Sequence, residues 1–253
     1  MKDGLPYQRQ AQMTDSRLQL VDAGYAHDGR AALSDLTLDI AFSRLGVVGR
    51  NGSGKSTLAR LLAGLVRPRT GRVLINGADL TRDRRRALTE VGILFQNPDH
   101  QIIFPTVLEE ITFGLTQLGN PKAKAEEMAR DTLARFGKSH WHEAYTNTLS
   151  QGQKHLVCFM AIVAMSPRLL ILDEPFAGLD IPTRAQLARY LDLYRGNLIH
   201  ITHAPEDLDG CAQVLWLDQG RICQSGPRET VLPAYLDEMK KRGEADDISD
   251  LSG

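Results

Sequence analysis

The 253-residue sequence contains few cysteines, no long apolar run and almost no net charge. Its three cysteines, Cys158, Cys211 and Cys223, are far apart and form no C-x-x-C pair, which favours a reducing compartment over a disulfide-stapled fold. The formal net charge of −1 leaves no global field that would attract nucleic acid or acidic lipid. The length allows one large α/β domain with an insertion or two small domains, and the charge leads us to expect no nucleic-acid partner.

Membrane-spanning and secretory segments are also missing. The longest apolar run covers residues 156–165, which is too short for a bilayer that needs about 20 residues. Residues 1–16 are polar, unlike a secretory signal, and are predicted to form a loose tail. The acidic stretch 244–253 is predicted to be a disordered tail. Attachment to a membrane surface stays open.

The strongest motif that is present lies at residues 49–57, where the sequence fits G-x-x-x-x-G-K-[ST]. An apolar strand at 45–48 precedes it, and leucines at helical spacing follow it. Glycines let the backbone curl so that its N–H groups face an anion, and the following helix directs its positive end there. The candidate phosphate-binding residues are Gly49, Asn51, Gly52, Ser53, Gly54, Lys55, Ser56 and Thr57.

Two further strands end in polar groups. The apolar run 169–172 continues into Asp173 and Glu174, a pattern in which one carboxylate holds Mg²⁺ and its neighbour orients a water molecule. His203 follows a predicted strand at 197–202. Ligands bind at the ends of parallel strands, so we expect His203 at the γ-phosphate.

Several stretches have two interpretations. Tyr25, in a predicted turn at 25–29, is either a base-stacking residue or an ordinary strand aromatic. The apolar residues 102–104 either anchor a subdomain or form part of a docking surface at 99–114.

Thr106 and Glu109 have capping-box spacing, so a helix should begin there. Ser150 begins another helix, as a simple cap or a second anion site. A helix is also predicted from residue 183 to about 195.

Taken in order, these elements resemble the nucleotide-binding subunit of ABC transporters. The matching elements are residues 49–57, Gln96, residues 149–153, residues 169–174, residues 179–180 and His203. The resemblance implies an α/β fold of the P-loop NTPase class, with a RecA-like core, an antiparallel β-subdomain and a helical insertion. It places the ATPase domain at 17–226, the insertion at about 97–153, and a short C-terminal helix and tail at 227–253.

The resemblance also implies roles at ATP and Mg²⁺. Lys55 would bind the β- and γ-phosphates, while Ser56 and Asp173 would hold Mg²⁺. Gln96 would join the shell of Mg²⁺ and water and sense a membrane partner. Glu174 would polarise the attacking water.

The remaining implied contacts are with ATP and with a second subunit. His203 would contact the γ-phosphate and Tyr25 would stack on adenine. The family's signature loop closes over ATP held by the other subunit, and here it matches Ser150, Gly152 and Gln153. Asp180 lies in the segment that crosses the interface. Gln151 replaces the usual glycine, and a left-handed backbone there would be strained by roughly 1 kcal/mol.

A finer resemblance is to the energy-coupling-factor importers, on residues 95–101 and 104–110. It implies an ATPase at the cytoplasmic face of the membrane. Its partners would be an identical or paralogous ATPase, a transmembrane coupling protein and a substrate-capture membrane protein. The short chain after Gly226 favours a dedicated system such as a biotin importer. A cobalt or nickel importer, a soluble ABC ATPase and a regulatory ATP-binding module are the alternatives.

Overall fold

The computed structural model describes residues 14–245. Most of the predicted tail at 1–16 and the residues from 246 onwards lie outside this range. At the borders two predictions were wrong. Ser16 already belongs to the first strand. Glu244 lies in the last helix and not in a tail.

The described residues form nine strands. The strands are β1 (Ser16–His27), β2 (Arg30–Phe42), β3 (Arg44–Val48), β4 (Thr70–Ile75), β5 (Val91–Leu94), β6 (Leu169–Asp173), β7 (Asn197–Ile201), β8 (Gln213–Asp218) and β9 (Arg221–Pro227). The predicted turn at Tyr25 was wrong: β1 continues through His27, and the turn is limited to Asp28 and Gly29, which both have positive φ. Extending β1 pairs Tyr25 with Leu33 of β2.

Seven α-helices accompany the strands in the same range. They are α1 (Lys55–Leu62), α2 (Arg84–Glu90), α3 (Val107–Gln117), α4 (Lys122–Arg135), α5 (Gln151–Ala164), α6 (Ile181–Asp192) and α7 (Arg228–Ala245). The predicted capping box is present, since Thr106 and Glu109 bond reciprocally at the start of α3. Helix α6 begins two residues earlier than predicted because Asp180 caps it.

The strands form two sheets. The order of the larger one is β5-β6-β7-β3-β8-β9, in which only the β8–β9 pair is antiparallel. The smaller one, β2-β1-β4, is antiparallel throughout. This is the predicted fold class, a parallel P-loop core with an antiparallel β-subdomain. The parallel order brings the ends of β3, β6 and β7 to one edge of the sheet.

Apolar burial is divided between the faces of the larger sheet. Leu58, Leu61 and Leu62 of α1 pack between the two sheets in one cluster. Helices α3, α4 and α5 pack with α6 in a second cluster, and α7 closes a third. Helices α3 to α5 occupy the chain between β5 and β6, with α5 spanning the predicted insertion boundary at 153. Among residues 14–245 no helix is long and apolar enough to cross a membrane.

Candidate active site

The phosphate loop connects β3 to α1 and depends on three glycines. Gly52 and Gly54 have φ values of +79° and +101°, a region that side chains with a Cβ rarely adopt. Gly49 is required for space, since a Cβ there would lie 2.2 Å from the carbonyl oxygen of Leu217. The loop is therefore shaped by backbone geometry before any ligand is considered.

Within this loop the side chains differ in exposure. Asn51 is exposed, whereas Ser53 is buried. The Ser53 hydroxyl has no hydrogen-bond partner, although its carbonyl oxygen accepts from the N–H of Gly220 at 3.0 Å. An unpartnered buried hydroxyl in such a loop fits a site that takes a polar ligand. Thr57 lies one turn further into α1 and is partly buried.

Lys55 is the buried cation of the loop. Its Nζ donates to the carbonyl oxygens of Gly49 (2.8 Å) and Arg50 (2.9 Å). The same Nζ lies 3.4 Å from Oε1 of Glu174. A buried ammonium with two carbonyl partners and one carboxylate is held in place at the start of α1.

Asp173 is the last residue of β6 and is 2% exposed. Its Oδ1 accepts a hydrogen bond from the Ser56 hydroxyl at 3.1 Å. Burial raises the pKa of Asp173 above its usual range, and the neighbouring charge of Glu174 adds to this, against the Ser56 hydrogen bond and the Lys55 charge. A cation placed here would lower that pKa and stabilise the carboxylate.

Glu174 has a left-handed backbone, with φ +49°. Its N–H donates to the carbonyl oxygen of Ile201 in β7 at 2.9 Å, which holds this strained conformation. The carboxylate meets three groups: His203 Nδ1 donates to Oε2 at 2.9 Å, Gln96 Nε2 donates to Oε2 at 3.4 Å, and Lys55 lies beside Oε1. Three residues from distant parts of the sequence therefore meet at the carboxylate of Glu174.

A cleft lies next to these groups. Its lining includes Ser56, Gln96, Asp173, Gln151 and Gly178. The cleft joins the phosphate loop to the start of α5.

The Ser150 turn (residues 149–153) is a capping box. Ser150 N–H donates to Gln153 Oε1 at 2.8 Å, and Gln153 N–H donates to the Ser150 hydroxyl at 3.3 Å. Gly152 is packed closely, since a Cβ there would lie 2.1 Å from Cγ2 of Thr183. Gln151 is the first residue of α5 and is not among the positive-φ residues, so the backbone strain considered for it does not arise.

Asp180 lies close to the same turn. It caps α6 by accepting from the N–H of Thr183 at 2.9 Å. Hydrogen bonds from the Thr183 side chain and then from this N–H lower the pKa of Asp180. Gly152 and Asp180 thus both meet Thr183. The Ser150 turn and the segment before α6 form one surface.

Tyr25 is half-buried on β1, packed against the core beside the phosphate loop. Its cross-strand partner Leu33 approaches that loop, because a Cβ on Gly54 would lie 2.9 Å from Cδ2 of Leu33. The packing fits an ordinary strand aromatic, and the position beside the loop fits a base-stacking residue. Both interpretations of Tyr25 remain.

Sequence reasoning missed the residues behind His203. Asp207 Oδ2 accepts from the Thr202 hydroxyl at 2.9 Å, and Asp207 Oδ1 forms an ion pair with Arg184 of α6. Arg184 also lies over the ring of Phe176, 5.2 Å from its centroid. This network ties the loop after β7 to α6. No motif links residues 184 and 207, because only the fold brings them together.

Comparison with known proteins agrees with this geometry. The family model described as ABC transporter matches residues 33–177. The biotin transport ATP-binding protein BioM of Rhodobacter capsulatus is 47% identical over 226 residues, covering 88% of this chain and 97% of that protein. BioM of Rhizobium etli is 40% identical over 218 residues, covering 86% and 97%.

A solved structure is similar as well. CbiO1 of Clostridium perfringens, described as part of the ABC transporter complex CbiONQ, superposes with a TM-score of 0.72 at 28% identity. The match covers 89% of this chain and 94% of that one. The chain therefore belongs to the ABC transporter family, as one of its ATP-binding, ATP-hydrolysing proteins.

Proposed function

We propose that this chain is the ATPase subunit of an energy-coupling-factor importer and that the imported substrate is biotin. The similarity to two BioM proteins, at 47% and 40% identity over nearly their whole length, carries the proposal. The similarity to CbiO1 of a CbiONQ complex supports the same type of importer.

The residues at the cleft suit Mg²⁺, a hard cation that prefers oxygen ligands and keeps several waters. The Ser56 hydroxyl and the Asp173 carboxylate already lie 3.1 Å apart, and the Gln96 side chain reaches Glu174 in the same cleft. We assign Ser56, Asp173 and Gln96 to Mg²⁺. When bound, Mg²⁺ would neutralise charge on the phosphate oxygens.

Lys55 and Glu174 are the pair that ATP would separate. In the structure Lys55 Nζ lies beside Glu174 Oε1 at 3.4 Å, so the two side chains neutralise one another. A γ-phosphate offers Lys55 a more highly charged partner and releases the carboxylate of Glu174. Glu174 then accepts a hydrogen bond from the attacking water and orients it.

His203 and Gln96 hold Glu174 in position before ATP binds. Both donate to Oε2, the oxygen that does not face Lys55. The strained backbone of Glu174, tied to Ile201, fixes the direction of the side chain. We assign His203 to the γ-phosphate in addition, because it follows the end of β7.

In the proposed assembly, the phosphate loop contributes half of one ATP site and the Ser150 turn contributes half of the other. A second ATPase, identical or closely related, would place its Ser150, Gly152 and Gln153 over the ATP that Lys55 holds. The N-terminus of α5 then adds its positive end to the phosphates in a gap that excludes water. Asp180, on the same surface as Gly152, would lie at the contact between the subunits.

The segment 99–114 is the proposed contact with the membrane partner. Ile103 is 71% exposed, while its neighbour Phe104 packs on Phe113 with ring centroids 4.9 Å apart. Glu110 fixes the loop by accepting from the N–H groups of Ile103 and Phe104 at 2.8 and 2.9 Å. One apolar side chain is thus presented outward on an anchored loop, which supports the docking interpretation of the segment. The partners are a transmembrane coupling protein and a substrate-capture protein, at the cytoplasmic face of the membrane.

Uptake of labelled biotin tests the substrate. The full-length chain is supplied to cells of its own type that lack it, with Lys55→Ala as the inactive control. We expect the wild-type chain to restore biotin uptake and the variant not to. Restored uptake of cobalt or nickel in place of biotin would overturn the substrate and keep the importer.

The same cells test two alternative functions, a soluble ABC ATPase and a regulatory ATP-binding module. Detergent-solubilised membranes should yield the chain together with membrane proteins, and the complex should release phosphate from ATP. A cytosolic pool without membrane partners would favour the soluble ATPase. ATP binding without turnover in the complex would favour the regulatory module.

A further inference from the structure

His155, in the second turn of α5, is fully buried with polar contacts at both ring nitrogens. Nδ1 lies 3.1 Å from the carbonyl oxygen of Gln151 in the same helix. Nε2 lies 3.1 Å from the carbonyl oxygen of Gln96, 59 residues away. A carbonyl oxygen only accepts, so the contact with Gln96 requires the proton on Nε2.

A second contact joins the same two segments. Lys154 Nζ forms an ion pair with Asp99 Oδ1 at 2.6 Å, and Asp99 follows Gln96 by three residues. The Lys154 side chain is 19% exposed, so this ion pair lies at the edge of the buried His155 contact. Two successive residues of α5 therefore hold the segment 96–99.

Both ends of the His155 contact belong to the active site. The Gln96 side chain donates to Glu174 at 3.4 Å. The Gln151 carbonyl belongs to the first residue of α5, directly after Ser150. Through one ring, the backbone beside Glu174 is fixed to the helix that begins at the Ser150 turn.

We propose that His155 is a positioning residue that couples Gln96 to the Ser150 turn. When the side chain of Gln96 moves to its ligand position in one subunit, the His155 contact moves the start of α5 with it. The Ser150 turn then meets the ATP of the second subunit in the correct position. This inference rests on the proposed head-to-tail arrangement of two ATPases.

Hydrogen-bonding capacity distinguishes the possible substitutions. The contact with the Gln96 carbonyl oxygen needs a donor at Nε2, so each substitution is judged by whether it supplies an N–H in that direction. Glutamine has an N–H₂ group that donates in the same direction from a side chain of similar length. Leucine fills a similar volume without a donor and leaves the Gln96 carbonyl oxygen without the ring's hydrogen bond, in a contact that is partly buried.

The test compares His155→Leu and His155→Gln in the full-length chain, purified with its membrane subunits. In His155→Leu, kcat for ATP hydrolysis should fall about tenfold while KM for ATP stays within about twofold of wild type. In His155→Gln, at least about half of the wild-type kcat should remain, because the donor is restored.

Thr132→Val is the matched control. Thr132 is 1% exposed, and its hydroxyl donates to the carbonyl oxygen of Met128 at 2.9 Å within α4, away from Gln96. Its loss should lower Tm and leave kcat near wild type. If His155→Leu gives no folded chain, His155→Met replaces it, because methionine also has no donor, and the same tenfold loss of kcat is expected.

Three results would overturn the coupling role. They are a wild-type kcat in the donor-lacking variant, an equal loss in His155→Gln, and an equal kcat loss in Thr132→Val. A wild-type complex that binds ATP without releasing phosphate would instead overturn the proposed function. The failures of the two proposals are thus distinguishable.

Discussion

At the scale of single residues, Glu174 is the most constrained group in the site. It combines a left-handed backbone with side-chain contacts to Lys55, Gln96 and His203. Strain of this kind persists where the surrounding structure enforces it, and it is common at catalytic positions. The carboxylate is held in one orientation, as activation of a single water requires.

Glu174→Gln should therefore separate binding from chemistry. The amide keeps the shape of the side chain, so ATP binding should stay within about twofold of wild type, while phosphate release should fall by at least about a hundredfold without the base. Nucleotide binding and phosphate release in the purified complex measure the two effects. Glu90→Gln is the control, because Glu90 is a buried carboxylate at the end of α2 that pairs with Arg168. Unchanged phosphate release from Glu174→Gln would remove Glu174 from its role.

His200 gives the protein a predicted pH dependence. Burial lowers the pKa of His200 to about 4, with Arg44 and Arg184 adding to the effect. The unfolded chain binds the proton at about pH 6.5, before the folded chain does, so acid favours unfolding. The stability contributed by neutral His200 is present above about pH 6.5 and is lost as the pH falls towards 4.

Between pH 7 and pH 5, His200 alone should lower the free energy of unfolding by about 2 kcal/mol. Urea unfolding at the two pH values measures it. In His200→Phe, which keeps a ring beside Phe176, that part of the pH dependence should disappear. An identical pH dependence in wild type and variant would show that His200 does not titrate as inferred.

At the scale of elements, the start of α5 is fixed on two sides. Its capping box is internal, and Gly152 fits against Thr183 with no room for a methyl group. Thr183 is β-branched and cannot move its Cγ2 freely. The spacing of α5 and α6 therefore depends on the absence of a side chain at Gly152.

Gly152→Ala should push the two helices apart and displace the Ser150 turn. We expect ATPase activity to fall about tenfold, a change of about 1.4 kcal/mol in the barrier. The double variant Gly152→Ala, Thr183→Ser removes the methyl group that the new Cβ meets and should restore most of the activity. Steady-state phosphate release from the complex measures the activity of both variants. A double variant as inactive as Gly152→Ala would show that the clash with Thr183 is not the cause.

At the scale of the whole molecule, the chain has two functional surfaces on different elements. Lys55 begins α1 after the phosphate loop and Glu174 directly follows β6, whereas Ser150 and Asp180 lie at the starts of α5 and α6. In the proposed assembly one subunit offers half of each site. We infer that hydrolysis requires two subunits facing each other.

The hydrolysis-blocked chain tests this arrangement. With ATP and the membrane subunits present, Glu174→Gln should hold the ATPases together, because ATP bridges them and is not consumed. Cysteines placed at Ser150 of one ATPase and at Asn51 of the other should then cross-link in the presence of ATP. Lys55→Ala should abolish the ATP-dependent cross-link. A cross-link of equal yield without ATP, or none with it, would contradict the shared site.

The sequence by itself determined the local parts of this protein. The spacing of glycines and Lys55 predicted a loop between a strand and a helix, and Thr106 with Glu109 predicted the start of α3, because turn geometry and helix capping depend on neighbouring residues. The motifs in their order were sufficient for the fold class, through the resemblance to the ATPases of ABC transporters that they carry.

Only the tertiary structure decided which distant groups meet. The three contacts at Glu174, the Arg184–Asp207 pair and the His155 contact with Gln96 join residues separated by 23 to 119 positions, and no local pattern encodes such pairs. The structure also showed that Gln151 has a helical backbone, which local patterns had left undecided. It showed that Tyr25 lies in a strand, whereas the local pattern had predicted a turn. The packing of whole helices and strands sets these contacts, because every element that lies between two residues in the sequence affects whether they meet.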